Sequence, residues 1–171
     1  MVKRFLSRRA VLAGMATAAL TPRLAQADTY IDLEWYDLLP ENQTFIPNVV
    51  RELLEHDESA GQYGRQPAST GVRPDWNGQI VRLSGFVVPI DYSGTGVTSF
   101  ILVPYVGACV HVPPPPANQL VFVTTQIPFE SPKLFEPVRV IGKFGISSVS
   151  THLAQVGYSL TADSVEPFRA F

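Results

Sequence analysis

Cysteine is almost absent from this sequence, because Cys109 is the only one in 171 residues. A single thiol cannot form an internal disulfide, so the thiol is buried and inert, reactive, bound to a ligand or paired with another chain. Long apolar runs are also lacking. The longest, at residues 10–20, is shorter than the roughly 20 residues that a membrane-spanning helix needs. The sequence therefore predicts no membrane span.

Basic residues are scarce beyond residue 27. Residues 1–27 contain five of the 13 basic residues and none of the 15 acidic ones. The remaining 144 residues thus carry 8 basic and 15 acidic side chains, a formal net charge of −7. An acidic domain without a basic stripe is a poor ligand for a phosphate backbone, which excludes nucleic acid as the expected partner.

The first 27 residues have the pattern of a cleaved secretory signal peptide. Basic residues come first, the apolar run follows, and the segment ends with Ala25, Gln26 and Ala27. Arg8 and Arg9, preceded by Ser7, favour the twin-arginine export pathway over an ordinary Sec signal. We therefore predict a periplasmic protein.

The region from residue 78 to 171 predicts a mainly β fold. Five short segments have strand character: residues 79–89, 97–104, 119–125, 138–144 and 158–165. Gly85 and Gly142 interrupt two of them and predict bends or bulges, and residues 149–156 predict a short helix or turn. Five short, bent strands are typical of a small closed or partly closed β-barrel.

Residues 28–77 predict a helical and loop cap on that barrel. Pro47 and the apolar residues at 49, 50, 53 and 54 have helical spacing, whereas residues 59–77 are rich in Gly, Ser and Pro. Trp35, Tyr36 and Trp76 are expected to seal this segment onto the barrel. Residues 28–171 are thus interpreted as one compact domain.

Three stretches carry a family resemblance: GFVVPI from Gly85, FILVPY from Phe100 and GACVHVPPPPANQ from Gly107. Together they resemble the exported bacterial family called domain of unknown function 3299, over about residues 33–168. The resemblance implies an OB-like fold. It also implies a gene neighbourhood with ABC-type transporter components and metal-handling proteins.

Cys109 and His111 are the main candidate site. Residues two apart in an extended segment point to the same face, so the thiol and the imidazole are expected to converge. This pair suits zinc or copper, whereas oxygen ligands alone suit calcium or magnesium. The further ligands that a complete site needs would come from His152, Asp91, His56 or a partner chain.

The residues after His111 are expected to support this site. Pro113, Pro114, Pro115 and Pro116 form a stiff run that would fix the geometry of the site and includes a chance of a cis peptide bond. Asn118 and Gln119 supply amides that could hydrogen-bond the carbonyls of this same loop or orient the histidine.

Three other interpretations of this loop stay open. Free cysteine is often a buried small hydrophobe, so the loop could be purely structural. The prolines could project and dock onto a transporter or another exported protein. A nucleophilic Cys109 activated by His111 would need a lowered thiol pKa. We favour a non-enzymatic accessory or binding protein of a transport or metal-homeostasis system, possessing a candidate zinc or copper site.

Overall fold

The computed structural model describes residues 29–41, 66–69, 71–110, 113–131 and 133–168. It contains six strands and two short 3-10 helices: β1 Ile31–Leu33, η1 Trp35–Leu38, β2 Ile80–Ser93, β3 Gly96–Val103, η2 Ala117–Gln119, β4 Val121–Phe129, β5 Pro137–Ser150 and β6 Gln155–Pro167. Within these ranges there is no helix of the length and apolar character that crossing a membrane requires.

Strands β2 to β6 close into a barrel, which confirms the predicted OB-like fold. The strand order is β2-β3-β4-β6-β5, and β5 pairs back with β2. The first half of β2 pairs with β5 and its second half pairs with β3, so one long bent strand belongs to both sides of the barrel. The β4–β6 pair is parallel and the other barrel pairs are antiparallel.

Gly85 and Gly142 allow this closure at the positions where the sequence predicted bends. A Cβ atom on Gly85 would lie 2.8 Å from the carbonyl oxygen of Val103 and 2.9 Å from the Leu102 side chain. Gly142 lies at a register shift of the β5–β6 pair, and its Cβ would collide with the backbone of Thr161. The strands can approach this closely only because these residues lack a side chain.

Two apolar clusters hold the fold together, and β3 contributes to both. Phe100 and Leu102 belong to the inner core of the barrel, whereas Ile101 and Val103 belong to a second cluster. Successive side chains of a strand point to opposite faces, so the second cluster lies on the outer surface of β3. We call it the outer cluster; its buried members are Val88, Ile101, Val103, Ala108, Leu120, Phe135, Ala154 and Val156.

The predicted helical cap is not supported. Among the described residues between 28 and 77, the regular structure is the three-residue strand β1 and the four-residue 3-10 helix η1. The helix predicted near Pro47 lies outside the described residues. The segment nevertheless packs on the barrel as predicted. Strand β1 pairs in parallel with residues 81–83 of β2, and Leu33 of β1 and Leu38 of η1 are buried in the inner core.

The connection between β5 and β6 is a turn at residues 151–154, without a helix. The Thr151 hydroxyl accepts hydrogen bonds from the backbone N–H groups of Leu153 and Ala154. Both strands extend further than predicted, and this longer hairpin brings Val149 and Val156 into the outer cluster.

Candidate functional site

Cys109 lies in a tight turn that follows β3. The Val110 N–H donates to the Gly107 carbonyl at 3.3 Å, and Gly107 and Cys109 have φ values of 94° and 68°. A left-handed conformation is costly for a residue with a side chain. The expectation that Cys109 lies in an extended segment is therefore wrong, and with it the alternation argument for convergence with residue 111. His111 itself lies outside the described residues.

The Cys109 side chain is half-buried and packs against the outer cluster. Burial raises the pKa of the thiol to about 12. The thiolate, not the thiol, is the nucleophile and the metal ligand. At neutral pH this environment therefore disfavours the form that either chemistry would use.

The proline run is partly buried. Pro114 and Pro115 are buried and Pro113 and Pro116 are half-buried. The Gln66 amide donates to the Pro115 carbonyl and to the Gln155 carbonyl, each at 2.8 Å, so it ties the run to the start of β6. No peptide bond is cis in the described part of the chain. The run covers the barrel more than it projects from it.

Asn118 and Gln119 are buried, with 1% and 0% of their surface exposed. The Asn118 amide donates to the Gly71 carbonyl, and the Gln119 amide donates to the Trp35 and Asn118 carbonyls, each at 3.0 Å. These amides thus bind backbone carbonyls, but two of the three carbonyls lie outside their own loop, although the sequence predicted partners within it. The bonded carbonyls at residues 35 and 71 belong to the N-terminal segments, which the amides fasten to the barrel.

Tyr158 completes this attachment and was not singled out from the sequence. It is fully buried. Its hydroxyl donates to the Leu38 carbonyl at 2.8 Å and accepts from the Arg73 N–H at 2.7 Å. Burial raises the pKa of this phenol, which therefore stays protonated and able to donate at neutral pH. A tyrosine within a strand pattern gives no sequence signal for such a role.

The tryptophans pack as predicted. Trp35 and Trp76 lie against the inner core, and the Trp35 indole donates to the Ser84 carbonyl at 2.8 Å. Tyr36 differs, because 67% of its surface is exposed.

The other metal-ligand candidates are not assembled around Cys109. His152 is exposed at the β5–β6 turn, and Asp91 accepts a hydrogen bond from the Ser99 hydroxyl at 2.7 Å. His56 lies outside the described residues. Across residues 29–41, 66–69, 71–110, 113–131 and 133–168, no three His, Cys, Asp or Glu side chains form a group that could hold a metal ion.

A groove that sequence reasoning missed lies where β4 and β6 diverge. Seven residues line it: Thr125, Ile127, Pro128, Phe129, Asp163, Ser164 and Val165. We call it the seam groove, and its volume is about 240 Å³. The sequence carries no motif there, since an apolar residue at the end of a strand usually indicates core packing.

Comparison with known proteins identifies a family but no activity. Residues 35–167 match the family described as "Protein of unknown function (DUF3299)". The chain is 33% identical to a DUF3299 family protein from Pseudomonas aeruginosa PAO1 whose crystal structure is known; the match covers 84% of this chain and 99% of that one, with a TM-score of 0.67. No protein with a curated description matches. The resemblance inferred from the three motifs is thus confirmed, and the chain belongs to the DUF3299 family.

Proposed function

We propose that this protein is a non-enzymatic accessory module of a periplasmic transport or metal-homeostasis system and that it acts by binding other proteins. The observation that carries the proposal is the environment of Cys109. The one thiol of the chain packs in an apolar cluster with a pKa of about 12, so we assign it a structural role. The periplasmic location is supported by the signal-peptide pattern of residues 1–27.

Zinc or copper binding at Cys109 and His111 stays an alternative prediction. Its requirements are demanding, because a metal would have to displace the proton of a high-pKa thiol and recruit further ligands. Docking through the proline run is disfavoured as well. With Pro114 and Pro115 buried, a partner could reach only part of that run, so we assign protein contacts to another surface.

Photo-crosslinking in intact cells tests the protein-binding role. The full chain would carry a photoreactive phenylalanine at one exposed apolar position at a time: Tyr92, Val106, Ile127 or Ile146. We expect at least one position to give a discrete product that contains an envelope transport component. If irradiation gives no discrete product from any of the four positions, the accessory-module proposal is wrong.

Elemental analysis of the purified protein tests the alternative that Cys109 and His111 bind zinc or copper. We expect less than a tenth of an equivalent of zinc or copper in the wild type, Cys109→Ala and His111→Ala. A near-stoichiometric metal content that is lost in both variants would instead establish a metal site and contradict the structural assignment of Cys109.

A further inference from the structure

The seam groove exists because β4 leaves β6 halfway along its length. The two strands pair in parallel from Val121↔Tyr158 to Thr125↔Ala162. Beyond that point β6 pairs only with β5, and β4 rejoins β3 at Phe129. Within the described residues, positions 163–167 of β6 thus form a strand edge without a neighbour on the β4 side.

The opposite wall of the groove is also without a partner on its β6 side. Residues 126–128 of β4 form a bulge in the β3–β4 pair and pair with no described residue of β6. The Thr125 hydroxyl donates to the Ile127 carbonyl at 2.8 Å, which fixes the bend of this segment. The Ile127 side chain is 79% exposed, the highest value among the large hydrophobic residues of the described chain.

The floor of the groove is the inner core itself. Phe129 and Val165 line the groove and also pack against the inner core. Between β4 and β5, the described residues 130, 131 and 133–136 form no helix that could cover this opening. The groove is therefore an apolar slot along a free strand edge, a combination suited to an added strand.

A β-bulge directs a carboxylate to this slot. Gly142 pairs with Ala162 and Ile141 pairs with Ser164, so Asp163 is the extra residue on β6. Asp163 is exposed, lines the groove and forms no hydrogen bond or ion pair with a described residue. No Lys or Arg lines the groove. A partner bearing a positive charge would therefore meet an uncompensated negative one.

We propose that the seam groove binds an extended segment of a partner protein as an added β-strand, with an apolar side chain against Ile127 and Phe129 and a Lys or Arg beside Asp163. The backbone edge of β6 supplies the hydrogen bonds of such a complex and the slot supplies its selectivity. A groove of about 240 Å³ is smaller than the roughly 300–1,000 Å³ of small-molecule pockets, which favours a peptide over a compact ligand.

This inference rests on the proposed protein-binding function and deepens it. A random dodecapeptide library displayed on phage would be panned against the protein purified after expression of the full chain. We expect the enriched peptides to alternate apolar residues and to contain one Lys or Arg. For a synthetic enriched peptide, N-methylation at alternate backbone positions should weaken binding at least tenfold, since it removes donors to the β6 edge.

Two matched pairs of variants locate the binding site. Ile127→Asp should weaken the peptide at least tenfold, whereas Ile146→Asp, at another exposed isoleucine, should change the affinity less than twofold. Asp163→Lys should select acidic peptides in place of basic ones, whereas Glu41→Lys should not. All four positions are exposed, so the variants are expected to fold, which circular dichroism would verify.

Two outcomes would overturn the inference: no enriched peptide, or enriched peptides that bind Ile127→Asp and Asp163→Lys as tightly as the wild type. Its failure can be distinguished from failure of the proposed function. Cellular crosslinks from Tyr92, Val106 or Ile146 without one from Ile127 would retain the accessory role and reject the groove. The absence of crosslinks from all four positions would reject both.

Discussion

The barrel differs on the two sides of strand β4, toward β3 and toward β6, in how completely other parts of the chain cover it. On the β3 side, the β3–β4 connection and the β5–β6 hairpin bury the strand surface in the outer cluster. On the β6 side, beyond Ala162, the strand edge faces an open groove. The first region has the conspicuous sequence, with the cysteine and four prolines, and the second has no recognisable motif.

A conspicuous motif can thus have a structural role, because the β3–β4 connection that contains Cys109 covers the outer surface of β3. Cys109 packs against the outer cluster and so helps to cover a strand surface that OB-like barrels often use for ligands. Because this surface is buried, it is not available to a ligand. We therefore expect a partner to bind at the uncovered edge of β6. If the covered side is structural and the open side is not needed for folding, substitutions on the two sides should differ in their effect on stability.

The same substitution can be made on each side: Ile101→Ala in the outer cluster and Ile127→Ala at the seam groove. Ile101 is fully buried in the outer cluster, so its truncation should lower the free energy of unfolding by about 2–5 kcal/mol. Ile127 is 79% exposed, and its truncation should change that energy by less than about 0.5 kcal/mol. Urea unfolding of both variants and the wild type measures the difference. Equal effects would show that the two sides do not differ as described.

Tyr158→Phe tests the attachment of the N-terminal segments to the barrel. The substitution leaves the Leu38 carbonyl and the Arg73 N–H without the phenolic partner, which should cost about 1–3 kcal/mol of unfolding free energy. Tyr92→Phe is the matched control, because that side chain is 61% exposed. Chemical denaturation of both variants provides the comparison. A Tyr158→Phe variant as stable as the control would show that these bonds contribute nothing net.

The strands of the barrel were predictable because local signals and tertiary structure agree there. Segments with strand character, bounded by turn signals, indicated all five strands, and Gly85 and Gly142 indicated the bends that closure requires. Strand ends were underestimated, since the β5–β6 hairpin continues through Ser150 and Gln155 on the strength of pairing and of contacts with the outer cluster. Such long-range packing has no local signature.

The site was less predictable, for physical reasons visible at two residues. The position of Cys109 depends on a left-handed turn, which its sequence neighbours only hint at through Gly107. The exposure of Ile127 depends on where β4 and β6 separate, a property of barrel closure and not of the segment itself. The amides of Asn118 and Gln119 likewise bind the carbonyls of Gly71 and Trp35 and not only those of their own loop, and no local signal indicates such distant partners.

Alkaline pH should weaken the covered side through Cys109. The unfolded thiol titrates near 8.5, whereas the folded thiol has a pKa of about 12. Below pH 8.5 this contribution to stability is fully present. As pH rises toward 12, the unfolded chain loses the proton that the folded chain keeps, so stability falls by up to about 1.4 kcal/mol per pH unit.

Cys109→Ala lacks this titration and serves as the control, measured by urea unfolding at pH 8, 9, 10 and 11 under reducing conditions. Tyr158 is present in both proteins, so its own raised pKa cancels in the comparison. Parallel stability curves for the two proteins would show that the Cys109 thiol is not shielded from water in the folded chain.

The smallest expected effect concerns the backbone of the same residue. Cys109 has φ 68°, a conformation that costs a side-chain-bearing residue about 1–2 kcal/mol and glycine almost nothing. Glycine loses more chain entropy on folding, which offsets part of the gain. Cys109→Gly should therefore be more stable than Cys109→Ala by up to about 1 kcal/mol in urea unfolding. The reverse order would mean that residue 109 leaves the left-handed region in solution, and the turn would then no longer explain how the β3–β4 connection covers the barrel.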